Sequence, residues 1–156
     1  MIKKLRYPVI ILILIVDQLV KYLIRANMDP GQSVPALGKL MSITYIQNRG
    51  AAFSILNGEG LALIIVTSVA MAVLVIVMEV YRDEAPLLVL SIAMMVGGGV
   101  GNLIDRAVLG FVTDMFDFHF WPVFNVADIF VVAGCLLLCV HILRSDRPSE
   151  GKKLGQ

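Results

Sequence analysis

The sequence predicts an all-α membrane protein with four transmembrane helices, and three observations predict it. Of its 156 residues, 58% are hydrophobic and only 16% are charged, with a mean hydropathy of +0.86; soluble domains carry about 25% charged residues. Four segments supply the roughly 20 mainly apolar residues that span a hydrocarbon core: about 7–24, 61–81, 86–104 and 126–143. Basic residues also collect on one side of that arrangement, as the positive-inside rule requires. Residues 1–156 therefore read as one integral membrane domain.

The first segment follows Met1-Ile2-Lys3-Lys4-Leu5-Arg6 and imitates a secretory signal. No Ala-x-Ala site comes after it, so it reads as a retained signal-anchor helix. Asp17, Gln18 and Lys21 interrupt it. Asp17 and Lys21 stand four apart on one helix face, where they partly neutralise each other. An outer loop, about 25–60, opens with the turn Met28-Asp29-Pro30-Gly31. It then alternates through Met41-Ser42-Ile43-Thr44-Tyr45-Ile46-Gln47, the period of a half-buried strand.

The second segment is the cleanest span, and Arg82 to Pro86 is a short hairpin connection to the third. In the third, Gly97 and Gly101 have the spacing that lets helix backbones approach closely. A dinucleotide loop is excluded because no strand precedes these glycines. A second outer loop, about 105–125, leads into the fourth span. Cys135 and Cys139 lie one turn apart in that span and read as small hydrophobes. His119 and His141 are too far apart to complete a metal set with them.

With the N-terminus inside, the inner side holds Lys3, Lys4, Arg6, Arg82, Arg144, Arg147, Lys152 and Lys153. The outer side holds only Arg25, Lys39, Arg49 and Arg106. Both termini are thus expected in the cytoplasm. A net charge of +1 without a basic block argues against a nucleic-acid partner.

Asp114 and Asp128 carry the chemistry. Both sit at the edges of apolar segments on the outer side, where an ionisable group is a functional hypothesis by default. Asn48, Asn102, Asp105, Arg106 and Asn125 fall at the same depth, with Asp17 somewhat deeper. Two carboxylates brought together suffice for cleavage by activated water. Asp117, three residues from Asp114, competes with it on these grounds. The aromatics Tyr45, Phe116, Phe118, Phe120 and Trp121 read as interfacial side chains. Serine, zinc and cysteine hydrolase motifs are absent. A channel lined by Asp17, Lys21 and Asp128 would need polar residues across the full membrane depth, and the second and third segments offer few. A phospholipid-modifying transferase would need a metal-binding acidic motif, which is also missing.

Five ordered blocks carry a resemblance. They are Asp17-Gln18-x-x-Lys21, Asn48-x-Gly50-Ala51-Ala52-Phe53, Gly98-x-x-Gly101-Asn102-x-x-Asp105-Arg106, Val112-x-Asp114 and Phe124-Asn125-x-Ala127-Asp128. Together they resemble bacterial lipoprotein signal peptidase (signal peptidase II). The resemblance implies a four-helix inner-membrane aspartyl endopeptidase with a small extracytoplasmic β-cradle. It implies cleavage of prolipoproteins before a diacylglyceryl-modified cysteine, contact with membrane lipid, and inhibition by globomycin-type cyclic peptides. It selects Asp114 over Asp117 as the partner of Asp128. Asp17, Lys21, Asn48, Gly50, Ala51, Asn102, Asp105, Arg106 and Asn125 become supporting residues, and no metal or organic cofactor is required.

Overall fold

A computed structural model describes residues 5–50, 59–83 and 85–145. Four helices and three strands follow in the order α1 (Arg6–Asn27), β1 (Ser33–Pro35), β2 (Ser42–Asn48), α2 (Glu59–Val80), α3 (Pro86–Leu109), β3 (Val112–Asp117) and α4 (Val126–Ser145). α2, α3 and α4 are each long and apolar enough to cross a bilayer. The outward faces are apolar: Leu61, Val66, Val69 and Ile76 on α2, and Val132, Leu136 and Leu143 on α4, are all exposed. Buried positions include Asp17, Lys21, Asn102, Asp105 and Asn125. That inversion of a water-soluble protein suits a surface solvated by lipid.

α3 is the central post. Its four small residues face three different neighbours, which explains a run that would weaken a water-exposed helix. A Cβ on Gly97 would meet Ile13 of α1 at 3.0 Å, and one on Gly101 would meet the Asp17 carboxylate at 2.6 Å. One on Gly98 would strike the Ala127 carbonyl of α4, and one on Gly99 the Met71 sulfur of α2. Gly134 of α4 repays the approach: its Cβ would lie 2.7 Å from the Ser91 carbonyl. Below the glycines, Met78, Val89, Ile92, Ala93 and Val96 form a fully buried apolar cluster.

The three strands form one antiparallel sheet in the order β1-β2-β3. β2 matches the expected strand, but its burial does not alternate: Ser42, Thr44 and Tyr45 are all buried. Tyr45 thereby departs from its expected interfacial role: it is only 4% exposed, whereas Phe120 and Trp121 are well exposed. The second outer loop is more ordered than its sequence suggested. α3 continues past the expected boundary to Leu109, carrying Asp105 and Arg106 on the helix. Asp105 is tolerated there because it is partnered, and Gly110 then ends the helix in the left-handed conformation at φ 76°. β3 follows at once and pairs with β2 across a register shift between Ile43 and Ile46. Phe124 bridges to Phe116 and packs on Phe116 and Phe118, with ring centroids 5.6 and 5.8 Å apart. These contacts pin the start of α4 beside β3.

The glycine contacts predict an asymmetric mutational response. Gly98→Ala must displace α4 backbone and should cost about 1–3 kcal/mol, the usual penalty of overpacking. Gly99→Ala meets only the end of a flexible methionine and should cost much less. Apparent Tm in detergent compares the two; equal losses would contradict the packing.

Candidate active site

α1, α3, β3 and the start of α4 converge on a buried polar network, and Lys21 is its hub. The Lys21 side chain is fully buried. Its ammonium lies 2.9 Å from Asp17 Oδ2 and 3.4 Å from Asp105 Oδ2, and donates to Asn102 Oδ1 at 2.8 Å. Three partners match the three N–H donors of an ammonium, so the charge leaves water without an unmet bond. Asp17 also accepts the Ala127 backbone N–H at 2.9 Å, satisfying one of the orphan donors that open α4. Asp105 accepts the Thr113 N–H at 2.9 Å, tying α3 to β3 one residue before Asp114.

Asn102 and Asn125 carry this order to the two candidate carboxylates. The Asn102 amide accepts from Lys21 through its oxygen, so its nitrogen is free to donate to Asp128 Oδ1 at 2.8 Å. The Asn125 amide donates to Asp114 Oδ1 at 2.6 Å and to Asn102 Oδ1 at 3.1 Å. Asn48 donates to Asp114 Oδ2 at 2.9 Å, while its oxygen accepts the Gly50 N–H at 2.8 Å. Gly50 adopts φ 77°, which lets that tight turn form.

The position of Asp128 follows from capping chemistry. Asn125 precedes α4 and accepts the Asp128 N–H through Oδ1 at 3.0 Å, while Asp128 Oδ2 accepts the Asn125 N–H at 3.2 Å. This reciprocal pair is a capping box made with an Asn and an Asp. It leaves Asp128 half-buried at a helix N-terminus, a setting that suits negative charge.

Asp114 occupies a different setting. It is 2% exposed on β3. Burial pushes its carboxyl up to about 6; the Asn48 and Asn125 bonds oppose that rise, the charge of Asp128 adds to it, and Lys21 opposes it more weakly. Asp117 lies outside the network. It accepts from the His119 N–H and the Thr44 hydroxyl, and that backbone bond holds it below the usual carboxylate value. The geometry thus separates two aspartates that the residue pattern left as rivals.

Each carboxylate opens on a different space. Asp114 lines a cleft of about 520 Å³ with Ile46, Gln47, Asn48, Pro122 and Val123. Asp128 heads an apolar groove of about 450 Å³ that runs down α4 past Ile129, Val132 and Leu136, beside Trp121 and Phe124.

Of the supporting residues expected from sequence, Asp17, Lys21, Asn48, Gly50, Asn102, Asp105 and Asn125 come together here. Arg106 stands apart, donating to the Asn102 carbonyl at 3.5 Å and lining a small cavity with Asn48 and Arg49. Ala51 lies outside the described residues. Two members were missed. Gln18 donates to Asp17, to the Gly101 carbonyl and to Asp105. Arg25 donates to the Thr113 hydroxyl at 3.0 Å and lies 3.8 Å from Asp105. Their helical spacing from Lys21, three before and four after, was the available signal. Cys135 and Cys139 are free thiols, partly buried and exposed respectively. Among the described residues no group of three His, Cys, Asp or Glu side chains is arranged to hold a metal.

Comparison with known proteins identifies the family. The chain is 43% identical over 136 residues to the lipoprotein signal peptidase of Moorella thermoacetica, covering 85% of this chain and 89% of the relative. It is 39% identical over 144 residues to that of Halothermothrix orenii, covering 92% and 99%. A bacterial membrane enzyme solved by the in meso method at 1.9 Å resolution superposes with a TM-score of 0.81 at 28% identity, covering 91% of this chain and 94% of that one. Residues 9–144 match the family described as signal peptidase (SPase) II, and on that match and these identities the chain belongs to the signal peptidase II family.

Proposed function

We propose that Asp114 and Asp128 are the catalytic pair with which this signal peptidase II family member, an aspartic-type peptidase, removes signal peptides from prolipoproteins. One observation carries the assignment. Asn125 binds both carboxylates at once, as a side-chain donor to Asp114 and as the backbone partner of Asp128.

Their surroundings divide the labour. Asp114, buried and raised to about 6, holds the shared proton and donates it toward the scissile carbonyl oxygen. Asp128, held by Asn102 and the start of α4, takes a proton from the attacking water. As the C–N bond of the tetrahedral intermediate breaks, Asp128 delivers the proton taken from water to the leaving amine, and the hydroxyl formed from the carbonyl oxygen returns its proton to Asp114, restoring the pair. The cut falls before a cysteine carrying diacylglyceryl. The peptide occupies the cleft beside Asp114, and the apolar groove below Asp128 receives acyl chains directly from the bilayer. Globomycin-type cyclic peptides block the same space.

In this reading α1 is the fourth span. It buries its polar face, Asp17 and Lys21, against α3 and turns Ile11, Leu12, Ile15 and Leu19 outward. The whole chain is one domain in the bacterial inner membrane, with both termini cytoplasmic and the carboxylates at the outer side. Reporter fusions at Asp83 should read inside and those after Trp121 outside; the reverse pattern would part the site from exported substrates.

Asp114→Asn and Asp128→Asn should each abolish cleavage of a lipidated prolipoprotein while membrane insertion persists. The double variant should be little worse than either single one, since the pair acts as a unit. Asp117→Asn should retain substantial activity. A dead Asp117→Asn beside an active Asp114→Asn would reverse the assignment.

The pH profile tests the division of labour. If protonated Asp114 is the acid, kcat/KM falls as pH rises through about 6, with the apparent value belonging to the pair. Asn48→Ala removes a bond that favours the carboxylate, so that limb should move to higher pH. A shift to lower pH would assign the proton to the other aspartate.

A further inference from the structure

β2 is the middle strand of its sheet, yet part of one edge is open. Tyr45 turns its main chain toward β1, donating to the Gln32 carbonyl at 2.9 Å and accepting from the Gly31 N–H at 2.8 Å. Strand alternation aims the main chain of Gln47 the same way. On its other side Gln47 faces Thr113, whose N–H goes to the Asp105 carboxylate instead of across the ladder. Pairing from the β1 side ends at Gly31, and the residue before it is Pro30, which has no N–H to extend the ladder. Among the described residues, the Gln47 N–H and C=O therefore have no partner, and Gln47 borders the cleft that Asp114 lines.

We infer that this open edge at Gln47 docks the substrate: an extended stretch of the prolipoprotein adds to β2 as a short strand and exchanges two hydrogen bonds with the Gln47 main chain. The inference rests on the peptidase reading above and adds how the cut is placed. Unpaired strand edges recruit extended peptides through backbone bonds that ignore side-chain identity. Asn48, the next residue along β2, holds Asp114 on the neighbouring strand β3, so the docking edge and the reacting carboxylate sit on paired strands. A peptide strand at this edge lies about 10 Å from β3, two strand spacings, and an extended chain advances about 3.3 Å per residue. The peptide therefore has to leave the edge and turn toward Asp114 before the scissile bond.

An amide-to-ester scan of a lipidated precursor tests this, replacing one backbone amide at a time near the cut and leaving the scissile bond intact. One position should lose roughly five- to tenfold in kcat/KM, the effect of one backbone hydrogen bond; the next position, whose ester weakens the carbonyl that accepts from the Gln47 N–H, should lose less, and the preceding one should change little. Gln47→Pro removes the strand's donor but keeps its carbonyl acceptor; it should lower kcat/KM while the position picked out by the scan stays sensitive. If that variant fails to insert, the scan on the wild-type protein still decides. A flat scan with normal cleavage of the all-amide precursor would overturn the docking edge alone. Failure of the folded wild-type protein to cleave that precursor would overturn the peptidase reading instead.

Discussion

The buried Lys21 ammonium is the interaction on which the rest of the structure depends. An isolated charge at that depth would cost several kcal/mol of lost hydration. Its partners come from three places in the chain: Asp17 one turn earlier on α1, and Asn102 and Asp105 on α3. Each partner then reaches outward. Asp17 receives the first turn of α4, Asp105 receives the backbone of β3, and Asn102 receives Asp128. Three elements are thereby held relative to one cation. Without it, Asp17 and Asp105 would be buried carboxylates on opposing helices, and the amide of Asn102 would lose the bond that orients it. The polar network is costly to desolvate, but once complete it permits very few arrangements.

The two carboxylates gain their difference from backbone context. Asp128 sits where a helix begins and shares its turn with Asn125, so its oxygens meet N–H donors. Asp114 lies mid-strand under Asn48 and Asn125, nearly shut off from solvent, and burial dominates its titration. Two identical side chains thus occupy different settings, one buried mid-strand and one half-buried at the start of a helix.

The glycines of α3 serve this arrangement as much as they serve packing. Gly101 leaves room for the Asp17 carboxylate, and Gly98 admits the Ala127 carbonyl at the start of α4. Close approach of the helices and completion of the polar network are therefore one constraint. In lipid, where association gains little from apolar burial, such contacts supply much of the specificity.

Apolar length, basic asymmetry and the i, i+4 pair Asp17–Lys21 were legible in the sequence because each is a local property of spacing and composition. So was β2 as a strand, although its burial does not alternate, since Ser42, Thr44 and Tyr45 are buried on both faces. The resemblance named Asp114 and Asp128, but the residue pattern by itself left Asp117 standing beside Asp114. Only the fold separates them, since β3 pairs with β2 so that Asp114 meets Asn48 while Asp117 meets Thr44. The extension of α3 through Asp105, the burial of Tyr45 and the roles of Gln18 and Arg25 were not legible either. The polar ones depend on a partner distant in sequence: Lys21 for Asp105, Gly101 for Gln18 and Thr113 for Arg25. Local spacing determines which segments form and which polar residues must find partners; tertiary structure decides who those partners are, because desolvation makes the cost of each polar group depend on what is packed against it.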